Sequence, residues 1–311
     1  LTALPNTMKH YILHRVMGLI PTLIVILVVA FIVIYMVPGN PFQAERALSP
    51  EARAELEAKY GFDQPPYVQL CIYLVNLMQG DLGMSFMYNR SVVEIIAIGF
   101  PVTLILATVA LAWALLLGVT AGIIGAVRQN TVWDYGAMTA AMLGISIPTF
   151  VLGPLLVLLF SLSLYWFPPA GWGSWKHILL PGITLGTIRA SYIARLTRAG
   201  MLEVVRSDFV RTAQAKGLPE KLIIWRHMLR GGLLPVVSYL GPAIAFMMVG
   251  SVVVEKIFNT PGIGPYFVDA AVNRDRFLVM GIVLLESVFL LSMNLLVDLV
   301  IGWLDPRITY D

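Results

Sequence analysis

The sequence predicts an all-α polytopic membrane bundle of six transmembrane helices. Both termini lie on the inner side, a helical insertion follows the first span, and a short inner helix separates the fourth from the fifth. Three observations carry this reading. Hydrophobic residues make up 58% of the 311 and charged residues 13%, against roughly 45–50% and 25% in soluble domains, and the mean hydropathy is +0.81. The charges fall in short stretches between long neutral runs. Each run is continuously apolar, without the in–out alternation of a membrane strand, which selects helices over a barrel.

A spanning helix needs about 20 mainly apolar residues. No residue from Val16 to Phe42 is charged, and Pro38-Gly39-Asn40-Pro41 stops the first span near Val37. Lys9, His10, His14 and Arg15 precede this run and no small-residue cleavage site follows, so it reads as a retained span. Ile95 to Val127 is also uncharged, with Pro101 as a first-turn residue of the second span. The third lies within Tyr135 to Leu164, interrupted by Pro148 and Pro154. The fourth begins near Ile178 and carries Arg189, the fifth runs from Leu233 to Val254, and the sixth from Phe277 to Leu304.

Basic residues orient the bundle. With the N-terminus inside, 13 of the 21 Lys and Arg lie on the inner side and 8 outside, four of them in the long first loop; acids lean the other way, ten outside to six inside. The resulting topology is N-in, C-in. The same distribution explains the net charge of +3 and the pI of about 9.0 without nucleic acid. The composition also excludes intrinsic disorder, and 26 aperiodic Gly with one Cys exclude collagen and disulfide scaffolds.

Two loops are larger than connectors. In the first, Ser49-Pro50-Glu51 is a helix start with Ser as N-cap; a second helical stretch follows Pro65-Pro66 and closes at Gly80-Asp81-Leu82-Gly83. This is an outer cap on the bundle, a docking surface for an external partner, or both. The other loop runs from about Arg195 to Gly232. Gly217 suits a helix C′ position, and Pro219 the first turn of a short helix in which Leu222, Ile223, Trp225, Met228 and Leu229 interleave with Lys221, Arg226, His227 and Arg230. Apolar side chains on such a helix are costly unless lipid or protein covers them; a socket on another protein is the favoured cover.

Inside the spans, Gly241-Pro242 and Gly250-Ser251 permit kinking, close helix approach or a gating flex. Glu286 and Asp298 are candidates because intramembrane acids are expensive: pore lining or a helix pair for Glu286, an ion pair for Asp298. Arg189 snorkels, pairs or meets substrate. Trp166, Trp172, Trp175 and Phe167 read as an interfacial belt, and Pro261-Gly262-Ile263-Gly264 as a tight re-entrant turn. The four His show no metal-ligand spacing, no catalytic constellation is visible, and no Gly-x-x-x-x-Gly-Lys-Ser/Thr phosphate cradle exists.

Arg211-Thr212-Ala213-Gln214-Ala215-Lys216-Gly217-Leu218-Pro219, then Arg226-His227-Met228-Leu229-Arg230 and Leu234-Pro235, resembles the cytoplasmic motif of ABC-importer permeases, oligopeptide/dipeptide branch. The family's glutamate-alanine-alanine opening is Arg211-Thr212-Ala213 here, and Leu234-Pro235 falls later than in the short form of the motif, as suits this branch. Tyr11-Ile12-Leu13-His14-Arg15, Ile20-Pro21-Thr22, Val37-Pro38-Gly39-Asn40-Pro41, Gly80 to Ser85, Ser146-Ile147-Pro148-Thr149-Phe150, Glu255 to Phe258, Asn273-Arg274-Asp275, Val297-Asp298 and Leu304-Asp305-Pro306-Arg307 continue the likeness along the whole chain.

The resemblance implies a multi-pass permease of the bacterial inner membrane, forming half of a translocation pore for short peptides. It implies an N-terminal span with periplasmic insertion over residues 8–94 and a permease domain over 95–304, with a coupling loop at about 200–232. Arg211, Thr212, Ala213, Gly217, Leu218, Pro219, Lys221, Trp225, Arg226 and His227 would couple it to an ATPase, and Gly241, Pro242, Ser251 and Glu286 are pore or gating candidates. The implied partners are a second, distinct permease, two cytoplasmic ATP-binding subunits that hold the ATP and Mg, an external solute-binding protein and membrane lipid. This chain itself is neither an enzyme nor a cofactor carrier in that reading. The same machinery serves nickel or metal chelates, glutathione or opine-like solutes in other members. A stand-alone secondary transporter predicts inverted repeats, and none is convincing here.

Overall fold

The computed structural model describes residues 6–37, 61 and 63–304. The Ser49-Pro50-Glu51 helix start, the Pro38 to Pro41 stop and the Asp305-Pro306-Arg307 ending lie outside the described residues. The chain divides into two compact units. The first holds the described residues up to Pro101 together with Gly262–Leu291, and the second holds Val102–Pro261 with the chain from Ser292.

In the first unit, α1 (Asn6–Met36) is uniformly apolar from Met17 to Met36, and Ile20, Val25 and Val33 stand exposed as lipid-facing side chains do. Leu27 is its buried contact, packed with Tyr73 of α2 (Pro66–Met78) and Met280 of α12 (Arg276–Leu304). Proline at the first turn starts α2, where the missing N–H is no loss. Gly80 and Gly83, both at positive φ, then turn the chain into a hairpin, β1 (Met84–Ser85) paired antiparallel with β2 (Arg90–Ser91). α3 (Val92–Val127) follows directly, and Val92 and Ile95 pack with Leu278 and Ile282 of α12 and with Ile263 and Ala270 of α11 (Ile263–Asn273). The tight turn expected at residues 261–264 is instead the entry to α11, which starts at Ile263 and closes on Arg274 in the left-handed region.

The second unit is organised around α6 (Trp175–Val205), which packs against α4 (Val132–Ser146), α5 (Thr149–Leu156) and α10 (Leu234–Phe258). Its small buried residues, among them Gly182, Gly186, Ala190, Ala194 and Gly200, let backbones approach closely. At the facing position on α3 a Cβ on Gly118 would lie 2.7 Å from Ile193 and from the Ala190 carbonyl oxygen. The expected third span is broken: α4 and the stretch from Thr149 to Ser163, which ends in a π-helical stretch (Val157–Ser163), meet at 104°. Pro148 explains the break, since it lacks an N–H and holds Ile147 in an extended conformation, φ −97° and ψ 113°.

Among the described residues, four helices are long and apolar enough to cross a membrane, within α1, α3, α10 and α12, and the bent α4–α5 pair raises the count to five. The helix at the expected fourth span, α6, carries Lys176, His177, Arg189, Arg195, Arg198 and Glu203 and is the most enclosed by neighbours rather than the most apolar. Pro101 does not start the second span. The helix begins at Val92 and carries Pro101 inside it, since Val92 and Ile95 already belong to a core that needs them helical.

Candidate functional site

The loop that follows α6 is built from two short helices seated on one apolar foot. Ser207 precedes α7 (Asp208–Ala215) in an extended conformation, and Asp208 places an acid on the positive end of the helix dipole. Val210 and Ala213, three apart, turn inward, while Arg211 and Thr212 face out. The helix ends in a Schellman arrangement. Gly217 stands at φ +72°, its N–H bonds the Gln214 carbonyl at 2.9 Å and that of Leu218 bonds Ala213 at 3.3 Å. Pro219 then caps α8 (Glu220–Leu222), which runs on through a π-helical stretch (Ile223–Met228) into α9 (Leu229–Gly232).

The wider π turn brings Ile223 and Met228, five apart, to one side. With Leu229 they are buried against Ala126, Met201, Val210 and Ala213. At Gly200 an added Cβ would lie 2.3 Å from the Gly232 carbonyl oxygen, so α9 and α6 meet backbone against backbone with no room for a side chain between them. The opposite side is open: Trp225 is 71% exposed. Arg206, Arg211, Lys216, Lys221, Arg226 and Arg230 are all exposed against only Asp208 and Glu220. An exposed basic surface with an aromatic tip, rigidly footed on a buried helix, can take a load from a partner and pass it to the bundle.

All ten loop residues singled out in the sequence therefore fall on one structure. Arg211, Thr212, Gly217, Pro219, Lys221, Trp225 and Arg226 are exposed, Leu218 and His227 half-buried, and Ala213 belongs to the foot. Of the intramembrane candidates, Gly241, Pro242 and Ser251 belong to the second unit and Glu286 to the first. Gly241 is buried where a Cβ would lie 2.9 Å from Asn294 Oδ1 and 3.2 Å from Val297, a helix-packing position. Ser251 is buried with its hydroxyl donating to its own helix, at the Met248 carbonyl, 2.7 Å. Pro242 and Glu286 are half-buried, and Glu286 is engaged rather than free.

Four polar contacts escape sequence reasoning. The Arg198 guanidinium donates from Nε and Nη2 to the two oxygens of Asp134, both at 2.7 Å, and Asp134 also accepts the Asn130 N–H at 3.0 Å. Asp134 is buried, so this fork clamps the start of α4 to α6 just before the loop. Asp275 accepts from Ser85 Oγ at 2.5 Å, from the Met87 N–H at 3.3 Å and from the Leu278 N–H at 3.2 Å. Burial raises its carboxyl above the usual carboxylate range against those bonds, which pull it down. Burial, aided by Asp269, pushes the Tyr88 phenol up to about 12, and the Tyr88 hydroxyl bonds Asp269 at 3.2 Å. Glu255, fully buried, accepts from Thr103 at 2.7 Å. Both halves of the Ser85–Asp275 pair lie in runs that the family likeness marks; only the fold joins residues 190 apart.

Residues 118–310 match the family model for the binding-protein-dependent transport system inner membrane component, and residues 8–107 match its N-terminal companion. The chain is 44% identical over 306 residues to the oligopeptide transport system permease protein OppB of Salmonella typhimurium, covering 97% of this chain and all of the relative. The Haemophilus influenzae OppB is equally similar. The glutathione transport system permease protein GsiC of Escherichia coli O6:H1 is 41% identical over 307 residues, again over its full length. Among solved structures, the inward-facing methionine ABC transporter MetNI superposes with a TM-score of 0.57 at 15% identity, over 68% of this chain and 97% of that one. An amino acid ABC transporter gives 0.51 at 15% identity, over 67% and 93%. These two share the fold.

Proposed function

The chain belongs to the family of binding-protein-dependent transport system inner membrane components, and we propose that within such an importer it moves short peptides inward through a pore it shares with a second permease. It is a multi-pass permease subunit of an ABC importer in the bacterial inner membrane, a transport component and not an enzyme. Similarity to the oligopeptide permeases along their whole length supports the peptide cargo, and the glutathione relative fits it, since glutathione is itself a tripeptide.

One observation carries the mechanism: residues 206–232 expose Trp225 and six basic side chains on an apolar foot packed backbone against backbone on α6. In our reading six spans, N-in and C-in, put this loop in the cytoplasm, where it is the coupling element. Two ATP-binding subunits hold ATP and Mg, seat the Trp225 tip in a cleft, and by closing push α8 and α9. The foot passes the displacement to α6 and, through Asp134 and Arg198, to α4. The second permease is a distinct chain, and a solute-binding protein delivers cargo to the opposite face, over the insertion within residues 8–94. Residues 95–304 form the permease domain proper.

Purification of the assembled importer tests this. With Trp225→Ala and Arg226→Glu combined, the ATP-binding subunits should detach or hydrolyse ATP without uptake, while the chain stays inserted. Undiminished uptake with those two changes rules the loop out as the coupling element.

A further inference from the structure

Arg189 lies fourteen residues past Trp175, about 21 Å along α6, in the middle of a helix 31 residues long. A guanidinium at such depth is costly unless it faces water or an anion. Among the described residues no carboxylate forms a salt bridge with Arg189. Arg189 meets the Tyr239 hydroxyl, to which Nη1 donates at 3.3 Å, and the face of Phe246, 4.9 Å from ring centroid to Cζ. Tyr239 and Phe246 stand seven apart on α10 and so share a face. Tyr239 stacks near Tyr192 of α6, centroids 6.1 Å apart, and Tyr192 in turn carries Arg195 on its ring at 4.9 Å. Phe246, Arg189, Tyr239, Tyr192 and Arg195 thus form one connected row along the α6–α10 pair, with the Tyr239–Tyr192 ring pair at its centre and a guanidinium on either side of it. Its members are half-buried or exposed, Phe246 at 56% and Tyr192 at 38%.

Aromatic faces hold a guanidinium by its flat side and leave its N–H edges outward. Arg189 spends one of its five N–H groups on Tyr239, and Arg195 spends none on a side-chain acceptor. Two ring-held forks that pair with no carboxylate among the described residues are complementary to a carboxylate ligand, which an arginine grips with two parallel bonds. The neighbouring rings offer apolar cover for the rest of a small ligand.

We propose that Arg189 and Arg195, held by Phe246, Tyr239 and Tyr192, form a carboxylate-binding subsite on this chain's share of the transport path, which takes the free C-terminal carboxylate of the cargo. The proposal rests on the peptide reading above. Trialanine and trialanine amide differ only in that carboxylate. Uptake of each is measured into proteoliposomes holding the assembled importer, at concentrations that saturate the solute-binding protein. The native importer should carry both, and Arg189→Gln and Arg195→Gln together should slow the free acid about tenfold while the amide changes less than twofold. Retained amide uptake shows that the variant is folded and coupled. Equal slowing of both peptides makes the arginines contacts to another subunit or to the bundle and overturns the subsite, while leaving the peptide cargo intact. Unchanged uptake of both overturns it as well. If the native importer carries neither peptide, the cargo reading fails and the subsite falls with it.

Discussion

Gly217 is the residue on which the loop's shape depends. A left-handed residue ends α7, and the next residue but one must already be turning into α8. Open space surrounds it, with nothing within 4 Å of an added Cβ, so a substitution is penalised by backbone strain alone, about 1–2 kcal/mol for a side chain that resists the left-handed region. Gly217→Val should therefore cut uptake severely and Gly217→Asn mildly, both at normal membrane levels of the chain, as uptake assays and immunoblots would show. Asp134 makes a different demand. Removing one partner of a buried ion pair costs about 3–5 kcal/mol because a charge is left alone. Asp134→Asn should lower the melting temperature of the detergent-solubilised protein sharply, and adding Arg198→Met should recover part of the loss. Had the fork no structural role, both variants would melt with the native protein.

Among the elements, the hairpin and α12 are joined at Asp275, whose raised carboxyl gives a pH signature. Because the folded group holds its proton more tightly than the unfolded one, its contribution is complete below the ordinary carboxylate range and is lost as pH rises through the folded value. Asp275→Asn should flatten this part of the stability–pH curve in thermal melts between acid and neutral pH while keeping the acceptor that Ser85 and the Met87 N–H use. The same elements show what a single sequence can and cannot disclose. The C-terminal ends of α1 and α12 and the start of α10 follow from where apolar runs meet charge or proline, and α7 and α8 from Gly217 and Pro219, all local signals. Pro101 misled because its place inside α3 is settled by packing of Val92 and Ile95 on Leu278 and Ile282. The pairs Ser85–Asp275 and Asp134–Arg198 are products of the fold, and spacing along the chain carries no trace of them. Of the candidate site, the exposed face of residues 206–232 was legible from Gly217, Pro219 and the interleaved basic and apolar residues, and the close helix approach at Gly241 was among the roles its small side chain suggested; that the Ser251 hydroxyl bonds its own helix's Met248 carbonyl was not.

On the scale of the whole molecule, many apolar side chains remain uncovered, and the exposed basic surface lies on the loop that follows α6. Lipid and a second permease answer the first feature. In the reading proposed above, a separate ATP-binding motor answers the second. If the loop is where that motor pushes, a photo-activated benzophenone placed at Trp225 in the assembled importer should attach to an ATP-binding subunit, more strongly when ATP is held unhydrolysed. A label that reaches only lipid, or only this chain, would contradict the coupling role of residues 206–232.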